Sequence, residues 1–520
     1  MIDNAPVGAS PEPAGARRIG RYEAYVVVFA ASAITLIIEI VAARILAPHI
    51  GVSVYTWTSV IGVILAGISL GNWLGGMLAD RAASRALLGL ILLAGAAATL
   101  LILPLAQLAP DWVSQAPLLL RIVLLTGLLF LAPALVLGMV SPMVVKLTLS
   151  DISVTGNVVG RIYAVSTAGA IVGVFLTGFV LIQALGSRET LLALAVFTAM
   201  MAIGTGRLWQ IPGKLIAGIL LLGALGVFTW SQQSFASGCI AESNYYCIKV
   251  WDRELEDDDP VRVLALDRLV HSYSRPDDPT YLHYSYQRVF AAVAEIVAEE
   301  NPEFSSLFVG GGGYELPRFF DAVHPQSSVE VIEIDPQVTA TARTYLGLDR
   351  APDVVTINED ARMALPRRRA DSVDLVIGDA FNDLSVPYHL TSLEFNQEIQ
   401  RVLAPDGIYA VNIVDAPGPG MFLRSFVHTL QQTFNDVAVM PVTFGLDFQD
   451  RMSILVLASD ETIDRAGLNS FFRSVRLRSE GRVVSERDLA DWMAQREPVL
   501  LSDNHAPVDN FLAPLFLKRA

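Results

Sequence analysis

Seven long apolar segments fill the first 230 residues of the 520-residue chain. A segment of about 20 apolar residues is long enough to cross a lipid bilayer as a helix, and most of these segments reach that length. The pattern therefore predicts an α-helical membrane domain with about seven transmembrane helices. The predicted spans are residues 24–46, 55–78, 85–105, 117–145, 158–184, 188–206 and 213–230.

The fourth segment raises the question of whether it crosses the membrane twice, with Pro133 at the break. Two crossings need about 40 residues, and residues 117–145 fall short of that length. We therefore expect a single helix that is long or kinked. Arg17, Arg18 and Arg21 flank the first span directly, so we expect that span to be retained as an anchor rather than removed as a signal peptide.

The second span carries Gly67, Gly71 and Gly75 at four-residue intervals. Small residues at this spacing let two helices approach closely, so close packing is predicted along this stripe. The span continues into GGMLADRAASR, which resembles the loop after the second helix of major facilitator transporters. In that resemblance, Asp80 and the arginines that follow it stand where a latch between helix ends is found.

Basic residues are distributed unevenly between the two sides of the predicted membrane domain. With the amino terminus inside, nine Lys or Arg residues fall on the inner segments and three on the outer ones. Such a bias places the basic side in the cytoplasm, as in a bacterial inner or plasma membrane. An odd number of spans then puts the second half of the chain on the outer side.

Charge divides the chain into two parts. Residues 1–235 hold 12 Lys or Arg and 8 Asp or Glu, a net charge of +4, whereas the remaining residues carry a net charge of −19. No basic patch interleaved with aromatic residues is present in the acidic part, which argues against nucleic acid binding. The expected domains are a cytoplasmic tail (1–22), a transmembrane domain (23–231), a linker with a β subdomain (232–285) and a Rossmann-like domain (286–520).

The two cysteines of the chain, Cys239 and Cys247, follow the last predicted span. They could join the linker to the first strand as a disulfide, which would fit an oxidising compartment. Two unrelated buried thiols are an equally good interpretation. No further Cys or His lies nearby at a ligand-like spacing, so a metal site is not expected.

A glycine loop between two apolar stretches indicates a nucleotide-binding unit in the second half. Residues 306–335 contain a strand, the loop 310–313, a helix-length stretch and a second strand that ends in Glu333. Glycines let the backbone approach a ligand, and an acid after the next strand accepts hydrogen bonds from ribose hydroxyls. A tight turn in an unliganded sheet is the alternative. Strands alternating with helices after residue 242 predict a doubly wound α/β sheet preceded by a small β subdomain.

Residues 242–460 resemble the spermidine synthases, the polyamine aminopropyltransferase family, in their membrane-fused forms. The likeness rests on the order and spacing of several short motifs rather than on any one of them. The motifs are ES-x-Y at 242–245, a strand ending at Asp267, YQ at 286–287, GGG at 310–312, EID at 333–335, EDA at 359–361, GDAFND at 378–383 and the segment LTSLEFNQEIQRVLAPDGIYAVN.

The resemblance implies a Rossmann-like methyltransferase fold and a transferase activity in polyamine biosynthesis. The reaction would move the aminopropyl group of decarboxylated S-adenosylmethionine to putrescine or another polyamine, without a metal. A polyamine or another small cation, membrane lipid and, for the protein itself, a homodimer are the partners to expect.

The resemblance also implies roles for individual residues. Asp379 would be the catalytic base, at the carboxyl end of a strand where such folds place ligands. Glu333 would hold the ribose hydroxyls, and Asp360 would accept a hydrogen bond from the adenine amino group. The full set expected at the co-substrate is Gly310, Gly311, Gly312, Glu333, Asp360, Ala361 and Gln287. The set expected at the polyamine is Tyr286, Asp383 and Tyr246.

Several positions depart from the pattern that the resemblance implies. Gly313 stands where family enzymes carry an Asp that binds the aminopropyl ammonium, Tyr246 replaces a Gln, and Phe444 replaces a Tyr at the acceptor amine. Asp383 is one residue further from Asp379 than expected. Loss of a charge-assisted contact to a buried ammonium costs about 1.5–3 kcal/mol, or roughly ten- to a hundred-fold in affinity. The nucleoside half of the site is retained, and the aminopropyl end is altered.

These departures leave two alternative functions open. Ordinary S-adenosylmethionine with its carboxylate could bind instead, and the enzyme would then transfer a methyl or aminocarboxypropyl group. A non-enzymatic domain that binds a polyamine or nucleoside could also serve a transporter-like membrane half.

Overall fold

The computed structural model describes residues 19–149, 155–234, 238–255, 260–380, 386–442, 445–474 and 482–517. The chain divides into two compact units, one made mostly of residues before Gly238 and the other mostly of Gly238–Ala520. Within the described ranges, seven helices are long and apolar enough to cross a membrane, by length and composition. The predicted number of spans is confirmed.

The first unit is helical, and two of its spans are interrupted. The fourth span is interrupted at Met139, whose N–H is shared between the carbonyl oxygens of Leu135 and Val136, at 3.2 Å each. This irregularity falls after Pro133, which lies within a continuous helix. A π-helical turn at Thr177–Leu181 interrupts the fifth span. The helices are α1 (Arg21–Ile50), α2 (Val54–Ala82), α3 (Arg85–Trp112), α4 (Leu118–Gly138), α5 (Val140–Thr148), α6 (Thr155–Leu176), α7 (Ile182–Leu185), α8 (Ser187–Gly206) and α9 (Pro212–Ser231).

The glycine stripe of α2 packs directly against the backbone of α4. Gly67, Gly71 and Gly75 are all buried. A Cβ atom at Gly67 would lie 2.7 Å from Ala134 Cβ, and one at Gly71 would lie 3.0 Å from Gly138 Cα. Because these distances leave no room for a side chain, the close packing predicted from the spacing is observed.

Two charged residues at the junction of α2 and α3 form ion pairs with other helices. Asp80 Oδ1 accepts a hydrogen bond from Lys146 Nζ of α5 at 2.8 Å. Arg85 donates to both carboxylate oxygens of Glu23, at 2.8 and 2.7 Å, and so joins α3 to α1. Asp80 and Arg85 of the transporter-like loop therefore pair with two different helices.

The second unit contains two sheets. The small sheet is antiparallel, with the strand order β1-β2-β3-β4, and the large sheet has the order β10-β11-β9-β8-β5-β6-β7. Strands β5 to β9 are parallel, whereas β11 runs antiparallel to both of its neighbours. The strands are β1 (Ala241–Glu242), β2 (Cys247–Glu254), β3 (Pro260–Leu266), β4 (Leu269–Ser274), β5 (Ser305–Val309), β6 (Ser328–Ile332), β7 (Val355–Ile357), β8 (Val373–Gly378), β9 (Leu403–Asp415), β10 (Asp436–Pro441) and β11 (Met452–Ser459).

Helices cover both faces of the large sheet, because successive residues of its strands point to opposite sides. Phe308 of β5 packs in the apolar cluster formed with α10, α11 and α12, whereas its neighbours Leu307 and Val309 pack in the cluster with α14 and α15. The predicted doubly wound α/β fold with a small β subdomain is confirmed. The helices are α10 (Ser285–Glu300), α11 (Glu315–Val323), α12 (Pro336–Tyr345), α13 (Ala361–Ala364), α14 (Leu393–Val402), α15 (Phe422–Leu430), α16 (Arg465–Ser474), α17 (Glu486–Met493) and α18 (Val508–Leu517).

Cys239 and Cys247 form a disulfide, with their Cα atoms 5.4 Å apart. Of the two interpretations left open by the sequence, the structure has the bridged one. The bond joins the segment that precedes β1 to the start of β2.

A methyl group added at Gly71 should destabilise the helical unit, because it would collide with the backbone of α4. Overpacking of this kind costs about 1–3 kcal/mol. Gly71→Ala should therefore lower the midpoint of thermal unfolding of the detergent-solubilised protein by several degrees. Gly76→Ala is the matched control, because a Cβ atom at Gly76 meets no atom within 4 Å. Equal midpoints for the two variants would contradict the packing described here.

Candidate active site

The large sheet has its topological switch point between β5 and β8. The chain proceeds from β5 to β6 and β7 on one side, and then returns to β8 and β9 on the other. Sheets of this type bind ligands in the crevice that such a switch leaves at the carboxyl ends of the strands. A cavity of about 380 Å³ lies there. Its polar lining includes His271, Tyr284, Tyr286, Gln287, Gly310–Gly313, Glu315, Asp379, Asn412, Arg451 and Ser453.

The glycine loop follows β5 and passes close to the end of β8. Gly310 has a φ of 99° and Gly312 a φ of 51°, both in the left-handed region that favours glycine. A Cβ atom at Gly310 would lie 2.7 Å from the carbonyl oxygen of Asp379. Glycine at position 310 therefore lets the loop lie directly beside Asp379 at the edge of the cavity.

Glu333, the residue after β6, holds the glycine loop from the neighbouring strand. The Gly311 N–H donates to Glu333 Oε2 at 2.8 Å, and the Asp335 N–H donates to Oε1 at 2.9 Å. Burial raises the pKa of the Glu333 carboxyl, and these backbone hydrogen bonds oppose part of that rise. Because a carboxylate oxygen can accept more than one hydrogen bond, Glu333 remains able to accept from ribose hydroxyls.

Asp379 follows β8 and is held by side chains from two other elements. Tyr286 Oη, on α10, donates to Asp379 Oδ2 at 3.1 Å, and Asn412 Nδ2, on β9, donates to Oδ1 at 3.0 Å. Burial raises the pKa of the Asp379 carboxyl, while the two hydrogen bonds lower it in part. A carboxylate that is fixed in orientation and has an increased affinity for a proton is suited to act as a general base.

Asp360 and Ala361 lie at the start of the short helix α13, which follows β7. Asp360 Oδ1 accepts a hydrogen bond from the Arg362 N–H at 2.8 Å, and Oδ2 lies 3.6 Å from His389 Nε2. Neither Asp360 nor Ala361 is among the residues that line the 380 Å³ cavity. They lie instead at the carboxyl end of β7, two strands away from the glycine loop.

Tyr245, in the segment between β1 and β2, lies near the acids that follow β6 and β7. Burial and then the nearby carboxylates of Asp335, Asp360 and Glu333 raise the pKa of the Tyr245 hydroxyl. In the same segment, Ser243 Oγ donates to Asp335 Oδ2. The ES-x-Y motif therefore lies against the acids that the family resemblance associates with the nucleoside.

The structure brings six of the predicted site residues together at the cavity. Gln287 is one of them, and its side-chain oxygen accepts a hydrogen bond from the Tyr284 N–H at 3.3 Å. Tyr246 packs against the apolar core instead of lining the cavity, so its contact with a polyamine stays a prediction. Asp383 and Phe444 lie outside the described residues. The six are Tyr286, Gln287, Gly310, Gly311, Gly312 and Asp379.

Asn412 is a candidate that sequence reasoning missed. It lines the cavity and is only 4% exposed, and its Oδ1 has no hydrogen-bond partner among the described residues. A buried acceptor without a partner costs free energy unless a ligand donates to it. The available signal was a polar residue within the apolar run GIYAVNIV.

Two charged residues on the cavity wall were also missed. Glu315 begins α11, and Arg451 precedes β11. Neither belongs to a motif with a recognisable spacing. In the described ranges no group of three or more His, Cys, Asp or Glu side chains is placed to hold a metal ion.

The fold and the site together define a class of protein. A mixed seven-stranded sheet with one antiparallel strand, a glycine loop after β5 and an acid after β6 form a Rossmann-like, methyltransferase-type α/β domain. In the described chain this domain accompanies seven candidate membrane spans.

No family model matches the chain. Comparison with known proteins nevertheless finds relatives that are named polyamine aminopropyltransferases. A polyamine aminopropyltransferase of Vibrio vulnificus is 28% identical over 142 residues, which cover 27% of this chain and 46% of the relative. Polyamine aminopropyltransferase 1 of Streptomyces coelicolor is 24% identical over 486 residues, which cover 86% of this chain and 85% of the relative. The Vibrio match thus spans about half the length of that relative.

Methyltransferases and a solved structure are also similar to the chain. An eEF1A lysine and N-terminal methyltransferase homolog of Drosophila melanogaster is 28% identical over 221 residues, 38% of this chain and 32% of that protein. A probable spermidine synthase from Corynebacterium glutamicum has a TM-score of 0.45 and 22% identity, covering 51% of this chain and 96% of that chain. The relatives confirm the predicted resemblance to the polyamine aminopropyltransferases, which are transferases.

Asp415, three residues after Asn412, is a fully buried acid at the end of β9. Its Oδ1 accepts a hydrogen bond from the Ala416 N–H at 2.8 Å, and its Oδ2 accepts one from the Leu423 N–H at 2.9 Å. Burial raises the pKa of Asp415 to about 6 despite these bonds. Asp415 therefore binds a proton more readily in the folded chain than in the unfolded one.

This shift should make stability decrease as the pH rises from about 4 to about 6. The contribution of Asp415 is fully present below its unfolded pKa and is lost as the pH passes the folded pKa. Two pKa units correspond to about 3 kcal/mol. Asp415→Asn should flatten this part of the profile of unfolding midpoint against pH, and Asp406→Asn, at an exposed position, should not. An unchanged slope in Asp415→Asn would contradict the shift.

Proposed function

We propose that the second unit is an aminopropyltransferase, in a protein that its helical unit anchors in a membrane. It would transfer the aminopropyl group of decarboxylated S-adenosylmethionine to putrescine or a related polyamine. The observation that carries the proposal is Asp379, which Tyr286 and Asn412 hold at the cavity wall beside the glycine loop. The similarity to proteins named polyamine aminopropyltransferase supports the same reaction.

The reaction requires an amine nucleophile beside the carbon that is bonded to the sulfonium. A C–N bond forms, the C–S bond breaks, and its electron pair returns to sulfur, which leaves methylthioadenosine. Asp379 would take the proton that the attacking ammonium gives up, and its raised pKa favours that uptake. Because no protein atom forms a bond to the substrate, positioning would provide most of the acceleration.

The nucleoside would lie along the glycine loop and the ends of β6 and β7. Gly310, Gly311 and Gly312 would let the backbone approach it, and Glu333 would accept from the ribose hydroxyls. Asp360 and Ala361 would contact the adenine, and Gln287 would contact the co-substrate from α10. Support comes from the hydrogen bond between Glu333 and Gly311 and from the acids grouped near Tyr245.

The acceptor would be a cation that approaches from the cavity side. The net charge of −19 after residue 235 would attract it electrostatically. The Asn412 Oδ1 would accept a hydrogen bond from the acceptor nitrogen, which gives this buried oxygen a partner. Contacts from Tyr286, Tyr246 and Asp383 to the acceptor belong to the same proposal, as does a homodimer.

Replacing Asp379 by Asn should remove the base while retaining the shape of the side chain. We expect the release of methylthioadenosine from decarboxylated S-adenosylmethionine and putrescine to decrease about 10²- to 10⁴-fold. Binding of methylthioadenosine itself should persist, because Asp379 does not touch the nucleoside in this proposal. Chromatography of the reaction mixture measures the release.

Asp406→Asn is the control for this experiment, because Asp406 is an exposed acid remote from the cavity lining. It should retain wild-type activity. If wild-type protein released no more methylthioadenosine than Asp379→Asn, the proposed aminopropyl transfer would be wrong.

A second candidate function is favoured by Arg451. This guanidinium lines the same cavity as Asp379, and guanidinium groups bind carboxylates. Ordinary S-adenosylmethionine carries a carboxylate that its decarboxylated form lacks, so a methyl or aminocarboxypropyl transferase would use Arg451. Running the same assay with ordinary S-adenosylmethionine decides between the donors, because only this candidate gives product with it.

We also propose that the second unit lies on the outer side of a bacterial inner or plasma membrane. The nine-to-three bias of basic residues supports that orientation. The disulfide between Cys239 and Cys247 supports it independently, because disulfides persist in oxidising compartments. A binding domain that serves a transporter-like membrane half would have the same orientation.

Thiol labelling of intact cells tests this orientation. A membrane-impermeant maleimide should label Cys239 and Cys247 only after treatment with an impermeant reductant. The Cys239→Ser/Cys247→Ser variant should remain unlabelled, since the chain has no other cysteine. Labelling that requires lysis of the cells would place the unit inside.

A further inference from the structure

The space beside Gly313 is occupied by a carboxylate from another residue. A Cβ atom at Gly313 would lie 2.5 Å from Ser272 Cβ, and it would also overlap Ser272 Oγ and Glu315 Oε1. A side chain at position 313 therefore does not fit unless these groups move. The volume that such a side chain would take is filled by the Ser272 side chain together with the Glu315 carboxylate.

Glu315 is held rigidly on the cavity wall. It is 4% exposed and lines the same cavity as Asp379. Its Oε1 accepts a hydrogen bond from Ser272 Oγ, which fixes the carboxylate against β4. Burial raises the pKa of the Glu315 carboxyl, while the Ser272 hydrogen bond and the positive charge of Arg318 oppose part of that rise.

Arg318, one helical turn after Glu315, is engaged elsewhere. Its guanidinium donates to Ser274 Oγ at 3.0 Å, to Leu346 O at 2.7 Å and to Pro276 O at 2.9 Å. Its hydrogen bonds within the described chain therefore go to β4, the turn after it and the end of α12. Glu315 is therefore a buried acid on the cavity wall, and the hydrogen bonds of Arg318 go to other residues.

A buried carboxylate is stabilised when a cation donates a charge-assisted hydrogen bond to it. We propose that Glu315 binds the terminal ammonium of the aminopropyl chain of the co-substrate, an inference that rests on the proposed function. Asp379 and Glu315 would then have separate roles in one cavity. Asp379 takes a proton from the acceptor, and Glu315 holds the chain that is transferred.

The position of Glu315 also changes the interpretation of Gly313. The glycine at 313 provides the room in which the Glu315 carboxylate stands, so the acid absent from position 313 is supplied two residues later. The same ammonium is present on ordinary S-adenosylmethionine. Glu315 would therefore bind either donor, and it would not contact methylthioadenosine, which lacks the amine.

Glu315→Gln tests the inference by calorimetry on the full-length protein. Glutamine has the same size and can still accept from Ser272, but it has no charge. Binding of decarboxylated S-adenosylmethionine should weaken about ten- to a hundred-fold. Binding of methylthioadenosine should change less than about twofold, since that ligand has no group for Glu315 to hold, and it reports that the variant is folded.

Two further variants sharpen the experiment. Glu299→Gln removes an exposed acid from α10 and should leave both affinities unchanged. Ser272→Ala keeps the Glu315 charge but removes its hydrogen-bond donor. It should weaken decarboxylated S-adenosylmethionine by a smaller factor than Glu315→Gln does, again without affecting methylthioadenosine.

The outcomes separate this inference from the proposed function. If Glu315→Gln weakens both ligands equally, or weakens neither, the inference is overturned. Wild-type protein that binds methylthioadenosine but not decarboxylated S-adenosylmethionine overturns it as well. If decarboxylated S-adenosylmethionine binds in a Glu315-dependent way and no amine is ever aminopropylated, the proposed function is wrong and the inference holds.

Discussion

The hydrogen bond between the Gly311 N–H and the Glu333 carboxylate joins the two strands on which the site is built. It ties the loop after β5 to the end of β6, and it gives a buried acid a hydrogen-bond donor. With the loop held there, Gly310 can pass directly beside the carbonyl of Asp379 at the end of β8. Asp379 is then within reach of Tyr286 and Asn412, so the geometry of the catalytic candidate depends on this contact.

Much of the architecture could be predicted from the sequence because its determinants are local. Segment length and hydropathy predicted the seven spans, and the spacing of Gly67, Gly71 and Gly75 predicted the close helix packing. Glycine loop, strand and acid follow one another in the chain, so Gly311 and Glu333 could be recognised as parts of one nucleotide-binding unit. The interruption at Met139 falls beyond Pro133, the residue at which a break was considered, and lies three residues before Pro142 of α5. Proline has no N–H to donate to the carbonyl four residues earlier, which here belongs to Gly138.

The remaining site residues are brought together only by the folded sheet. Asn412 reaches Asp379 from a strand 33 positions further along the chain, and nothing in its local sequence indicates that contact. Glu315 was missed because its role depends on the volume left by Gly313, a steric fact that spacing does not encode. For Tyr246 the motif position predicts a ligand contact, whereas the side chain packs against the apolar core, so that contact stays a prediction.

The segment closed by the disulfide between Cys239 and Cys247 contains residues that lie near the proposed nucleoside site. Ser243, which donates to Asp335, and Tyr245, which lies near three acids, both fall between Cys239 and Cys247. The bridge therefore closes a small ring in which Ser243 contacts the acid after β6 and Tyr245 lies near the acids after β6 and β7. A ring has fewer conformations to lose than an open segment when a ligand binds, so the covalent link preorganises one wall of the proposed nucleoside site.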